Sequence, residues 1–308
     1  MGGLSVGLRA LGGGSYEGSQ IASELGLLRP ASAEATVLDG LPVEPPPHRA
    51  RPLLDAVRER GRIRIGFIPN QAPYSHFNAQ GALVGLDVEM AHQLARDLGV
   101  RAEFAPVPRE GFLGVLESDR VDIVMSGVLV TTERASRATF SSSYLDEVLA
   151  FVVPDHRRAD FSDAAWVRAQ DGLRLGVPDL PSIADLVRRE FPKARIVPVS
   201  VTDATNPFDS GLAVDAFVLT AERGSFLTLL HPAFSVAVPH PLDIRLPLAY
   251  PVAARDLEAA RFLSTWIELK RKDGTIQALY DHWILGRDAK AKKPRWSILR
   301  DVLGWKGR

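Results

Sequence analysis

Apolar and polar residues alternate with two different periods along residues 53–285, and the change of period marks the elements. "RIRIGFIP" (62–69) alternates Ile63, Ile65 and Phe67 with polar neighbours, the period of a strand. "LDVEMAHQLARDLG" (86–99) repeats Met90, Ala91, Leu94, Ala95 and Leu98 at helical spacing, with Asp87 near its start and Gly99 just past its end. "NAQGALVG" between them reads as a hairpin-like turn. A strand "RAEFAPV", a helix "REGFLGVLES" and a strand "VDIVMSG" follow. The last is apolar enough to be buried on both faces. A second series begins with the strand "EVLAFVVP". It continues through "LRLGVP", the helix "SIADLVRREF", and the strands "ARIVPV", "VDAFVLT" and "FSVAVP". After the proline-rich "PHPLDIRLPLAYP" come a strand "YPVAAR", a long helix "DLEAARFLSTWIELKRK" ending at Asp273-Gly274, and a last helix "TIQALYDHWIL".

Strands alternating with helices predict parallel α/β architecture. Two series predict two Rossmann-like lobes joined by a two-strand hinge, near residues 145–150 and 241–248, with a ligand cleft between them. The expected division is lobe 1 at 53–147 plus 246–285 and lobe 2 at 148–245. Residues 1–52 have tail and linker composition ("LGGGSYEGS", "LPVEPPPHRARP"), with a short helix near Gln20–Leu28. Residues 286–308 form a basic tail with eight Lys/Arg against two Asp, whose Trp296, Leu299, Val302 and Leu303 fall on one helical face. That face suits docking on the body or contact with a membrane surface or partner.

A length of 308 residues suits two lobes better than one core. Lys plus Arg equals Asp plus Glu at 37 each, which argues against a nucleic-acid partner. No cysteine is present, so disulfides, thiolate metal sites and cysteine nucleophiles are excluded. No apolar run approaches the roughly 18 residues of a membrane span. The first residues lack the charged-then-apolar pattern of a secretory signal. The seven histidines make no metal-ligand pattern, G-x-S-x-G is absent, and the glycine clusters lack a nucleotide-binding context. Neither a metal nor a cofactor is expected.

The candidate chemistry centres on "SGVLVTTERASRATFSSSY" (126–144). Arg134 stands just past a strand end, where parallel α/β folds bind ligands. It reads either as a solvated charge paired with Glu133 or as a fork of N–H donors for a carboxylate, helped by the backbone of Gly127 to Val130. Across the cleft, Ser182 with Asp185 reads as a capping box whose helix N-terminus favours an anion.

Three stretches in order carry a resemblance: "APYSHFNAQGALVGLDVEMAHQLARDLG", "VDIVMSGVLVTTERASRATFSSSYL" and "RKDGTIQALYDHWI". Together, over about residues 60–285, they resemble the periplasmic solute-binding proteins of the amino-acid type, the substrate receptors of ABC importers. The resemblance implies the type II periplasmic binding fold, which closes on its ligand by a hinge. It implies that Arg134 grips the ligand's carboxylate, with Ser126, Gly127 and position 129 beside it. Leu129 replaces a serine of the pattern. The place that usually holds the ammonium-binding acid is Thr220, with Glu222 two residues on. The loop after the first strand offers Asn70, Gln71 and the aromatic Tyr74, but no acid. Carboxylate recognition is thus expected to be retained and ammonium recognition not, so a dicarboxylate or keto acid fits as well as an amino acid.

The expected role is extracytoplasmic capture, by a monomer, of a small carboxylate-bearing solute for a membrane permease, of the ABC type or a fused symporter. Two alternatives use the same fold. One is an enzyme like cyclohexadienyl dehydratase, with Glu222 or His76 as its acid or base; the other is a ligand-sensing domain of a receptor.

Overall fold

The computed structural model describes residues 25–29, 34–41, 51–200 and 211–286. The helix expected near residues 20–28 lies largely outside them, and the basic tail after Gly286 does so entirely.

The first lobe is built on a parallel sheet in the order Ala35–Val37, Arg101–Pro106, Arg62–Phe67, Ile123–Val124. Its strand Arg62–Phe67 is buried on both sides from Ile63 onward. The alternation in its sequence therefore reports pairing geometry rather than a solvent face. The polar partner in that strand is Arg64, whose guanidinium pairs with buried Asp122 at 2.7 Å. The helix Leu86–Leu98 closes on Gly99, whose φ of 69° is the left-handed cap that the glycine was expected to supply. The long helix Leu257–Lys272 and the helix Thr275–Trp283 return to this lobe. Leu263, Trp266, Ile267, Leu279 and Trp283 join its core. The edge strand Ala35–Val37 comes from the segment expected to be a tail.

The second lobe carries a mixed sheet in the order Arg195–Val199, Arg174–Pro178, Ala216–Thr220, Leu145–Pro154, Phe234–Ala237. The first three strands are parallel, and Leu145–Pro154 runs antiparallel to its neighbours. Its two faces bury separate cores, one around Phe151, Phe161 and Phe191 and one around Val152, Phe217 and Val236. The helix Ala221–Leu230 was not expected from its sequence, because apolar and small residues leave it almost no amphipathic stripe.

Two neighbouring strands connect the lobes. Arg245–Leu248 pairs antiparallel with the first half of Leu145–Pro154, with Leu248 opposite Leu145 and Arg245 opposite Val148. It falls within the second crossing expected near residues 241–248, although the proline-rich composition weakens its strand pattern. Both crossings are anchored at one point. Tyr144 immediately precedes the outgoing strand, and Tyr250 follows the returning one. Their rings stack at 4.4 Å, and both hydroxyls donate to Asp87, each at 2.8 Å.

Candidate functional site

Asp87 also accepts from the backbone N–H of Gly127. One buried carboxylate therefore ties a helix N-terminus, both hinge strands and the loop after Ile123–Val124 together. Burial pushes its pKa up to about 6, against the pull of the three donors. Gly127 has a φ of 58°, and a Cβ there would lie 2.5 Å from the Tyr74 ring. Glycine is needed at this position both for its backbone conformation and for the closeness of the ring.

The loop held in this way leads to Arg134. Thr131 caps the short helix Thr132–Ala135, its hydroxyl accepting from the Arg134 N–H at 3.2 Å. The guanidinium donates to the Leu129 carbonyl at 2.9 Å and lies over the Phe112 ring, 5.4 Å from its centroid. Leu129 thus supplies its carbonyl rather than a hydroxyl. Burial lowers the Arg134 pKa, opposed by the field of neighbouring Glu133, and among the described residues the hydrogen-bond acceptor of its guanidinium is the Leu129 carbonyl rather than a carboxylate. It borders a cavity of about 80 Å³ between the lobes.

Gln71, Gly127, Leu129 and Thr220 line the same cavity. Tyr74 stands behind it, fully buried, its hydroxyl donating to Glu147 at 2.5 Å. Ser126 is buried beneath, and its hydroxyl accepts from Ile68 N–H at 2.9 Å and bonds Ser75. It shapes the loop rather than facing the cavity. Ser182 is exposed and does not line the cavity, and the capping box expected there is absent. Leu180 is the N-cap and Pro181 takes the first helical position, because proline's fixed φ and missing N–H start a helix without a side-chain cap. Leu180 and Ile183 instead give the cavity an apolar wall. Glu222 faces another cavity, behind the hinge strands, accepting from Val148 N–H at 3.1 Å. Burial and the neighbouring Glu147 raise its pKa. His76 is packed between Phe226 and Trp283, and burial lowers it to about 4.

The cavity also contains three charged residues not selected from the sequence. Glu147, in the outgoing hinge strand, presents its carboxylate from beside Thr220, whose hydroxyl donates to it at 2.8 Å. An acid therefore does reach the place where Thr220 stood in for one, but from a different strand. Burial raises the Glu147 pKa, opposed by the two hydroxyl donors and by the positive field of Arg223. Arg223 lies in the first turn of the helix that Thr220 caps. Arg109 follows the strand Arg101–Pro106 and donates to the side-chain amide oxygen of Gln71. The signal for Arg109 and Arg223 was the one that singled out Arg134: an arginine just past the C-terminal end of a strand. Glu147 gave no such signal, because it is embedded in a strand otherwise rich in apolar residues.

The family model of the bacterial extracellular solute-binding proteins, family 3, matches residues 63–286. The L-cystine-binding protein TcyJ of Escherichia coli K12 is 39% identical over 239 residues, covering 75% of this chain and 85% of that protein. The cyclohexadienyl dehydratase of Pseudomonas aeruginosa is 27% identical over 234 residues, with the same coverage. Among solved structures, the ancestral amino-acid-binding protein AncCDT-1, a precursor of cyclohexadienyl dehydratase, superposes with a TM-score of 0.64. It is 26% identical and covers 75% of this chain and 99% of that one. An inter-lobe cleft, a hinge of two strands and this match over most of its length agree: the chain belongs to the bacterial extracellular solute-binding proteins, family 3.

Proposed function

We propose that this protein captures a small carboxylate-bearing solute, an amino acid or related organic acid, between its lobes outside the cytoplasm and presents it to a membrane permease. The observation that carries this reading is Arg134: a guanidinium braced by a backbone carbonyl and an aromatic ring, bordering the inter-lobe cavity, with no ion-paired carboxylate among the described residues. A ligand carboxylate would supply the missing acceptor. The ligand's hydrocarbon part would rest on Leu180 and Ile183, and Glu147 offers an ammonium a seat beside Thr220. The L-cystine-binding relative supports an amino-acid or related ligand.

A thermal-shift panel of amino acids, keto acids and dicarboxylates, followed by titration calorimetry of the hits, tests this. Arg134→Ala should weaken every hit by about 100-fold, as expected for removing one partner of a desolvated charge pair. Hits that keep their affinity in Arg134→Ala would rule out the carboxylate grip.

A second reading rests on Glu147, a buried carboxyl group with a raised pKa inside the cleft, as an acid catalyst would need, and on the dehydratase relative. Dehydration of a cyclohexadienyl substrate would appear as new aromatic absorbance. Turnover abolished in Glu147→Gln with binding retained would favour the enzyme. A flat absorbance trace at saturating substrate would exclude it.

A further inference from the structure

Arg134 accounts for only one of three guanidiniums at the cleft. Arg109 comes from the first lobe and Arg223 from the second, and both line the same cavity as Arg134. Among the described residues none of the three is ion-paired, and Arg109 has only the neutral Gln71 as its side-chain partner. The Arg109 pKa falls to about 9, first through burial and then through the positive fields of Arg223 and Arg134. Arg109 therefore feels the charges of both other arginines across the cavity. Against them the cavity lining holds a single carboxylate, Glu147; Glu133 beside Arg134 and Glu110 beside Arg109 offset part of the charge from outside the lining. The hydroxyls of Tyr74 and Thr220 both donate to one oxygen of the Glu147 carboxylate, Oε1, at 2.5 and 2.8 Å.

An excess of like charge in a partly desolvated cleft is unfavourable by itself and opposes approach of the lobes. A neutral amino acid gives one carboxylate to Arg134 and brings its own positive charge into this field. Two anionic groups on one small ligand would neutralise the excess. The placement of Arg109 and Arg223 on opposite lobes lets the second group bridge them.

We propose that the ligand carries two carboxylates and a net negative charge: one carboxylate on Arg134, the other shared by Arg109 and Arg223. This rests on the carboxylate reading of Arg134 and adds the ligand class to it. Dicarboxylates and acidic amino acids share that chemistry. They differ in whether an ammonium meets Glu147.

Calorimetric titration of the full chain with succinate, glutarate, L-aspartate and L-glutamate, against L-alanine, L-glutamine and L-cystine, tests it. At least one diacid should bind more than tenfold tighter than each net-neutral ligand. Arg109→Gln and Arg223→Gln should each weaken that diacid by about 10-fold or more while changing a monocarboxylate little. Cooperative apo melting curves at or above the wild-type temperature would show that both variants fold. Glu147→Gln separates the sources, since it weakens an acidic amino acid but not a plain dicarboxylate. If net-neutral ligands bind as tightly as the diacids, if no diacid binds, or if both variants leave diacid affinity unchanged, the second anionic seat does not exist. Arg134→Ala distinguishes the two levels. Loss of all binding in Arg134→Ala without discrimination in the other variants leaves the carboxylate grip standing and removes only the two-acid class.

Discussion

Gly127 and Asp87 show how much of the site depends on single atoms. Gly127→Ala would force a left-handed backbone on a residue with a Cβ, at about 1–2 kcal/mol, and press that Cβ into the Tyr74 ring. Since Tyr74 holds Glu147, the variant should melt at a lower temperature and also lose ligand affinity. A thermal melt and a titration check both. Asp87 has a folded-state pKa of about 6 against an ordinary 3.8, so the folded protein binds this proton more tightly than the unfolded chain does. Its stabilising contribution is fully present below about pH 4 and is lost as pH rises through 6. Asp87→Asn should therefore flatten the fall in melting temperature between pH 4 and pH 7. An unchanged slope would mean that other groups carry it. Neither role is readable in the sequence. Asp87 looks there like an acidic residue in a helix's first turn, and only folding brings Tyr144, Tyr250 and Gly127 to it.

At the scale of elements, the site depends on two threonine caps. Thr131 fixes the start of the helix that bears Arg134, and Thr220 fixes the start of the helix that bears Arg223 while donating to Glu147. Replacing an N-cap threonine costs ~1 kcal/mol. Thr131→Ala should lower stability by that order and weaken ligand binding severalfold by loosening Arg134. Thr220→Val should do more, because it also leaves buried Glu147 with one donor fewer. Comparing chemical denaturation with calorimetry for the two variants separates stability from affinity. Helices with a clear apolar stripe, such as Leu86–Leu98 and Leu257–Lys272, were legible from periodicity. Ala221–Leu230 was not, because burial around much of its surface removes the polar face that periodicity detects. The strand Arg245–Leu248 was expected as a crossing near 241–248, but its bounds were not legible: its proline sits in a hinge strand, where tertiary pairing outweighs local preference.

For the whole molecule, the hinge geometry sets the mechanical expectation. The two crossing strands are hydrogen-bonded neighbours, so the lobes can rotate by twisting one ribbon without breaking a sheet. A ligand touching Arg134 on one lobe and Arg223 on the other binds the closed arrangement better and shifts the population toward it. Small-angle scattering should record a smaller radius of gyration on adding a ligand found by the panel. An unchanged radius would place closure before binding. At about 100 times the dissociation constant, that ligand should also stabilise the protein by about 2.7 kcal/mol.

The sequence by itself determined the α/β class, most element positions and the order of the recognition motifs, and it singled out Arg134 as a candidate. These follow from periodicity and from a guanidinium at a strand end, both local properties. Only the tertiary structure decided which charges share the cleft. Arg109, Glu147 and Arg223 are separated by up to 114 positions in the chain and meet because strand ends from both lobes, and one crossing strand, open onto a single cavity. Ser182 and Glu222 were drawn away for the complementary reason. A residue one or two positions from a cleft-lining neighbour in a helix points a different way, and no one-dimensional spacing decides which side faces the cavity.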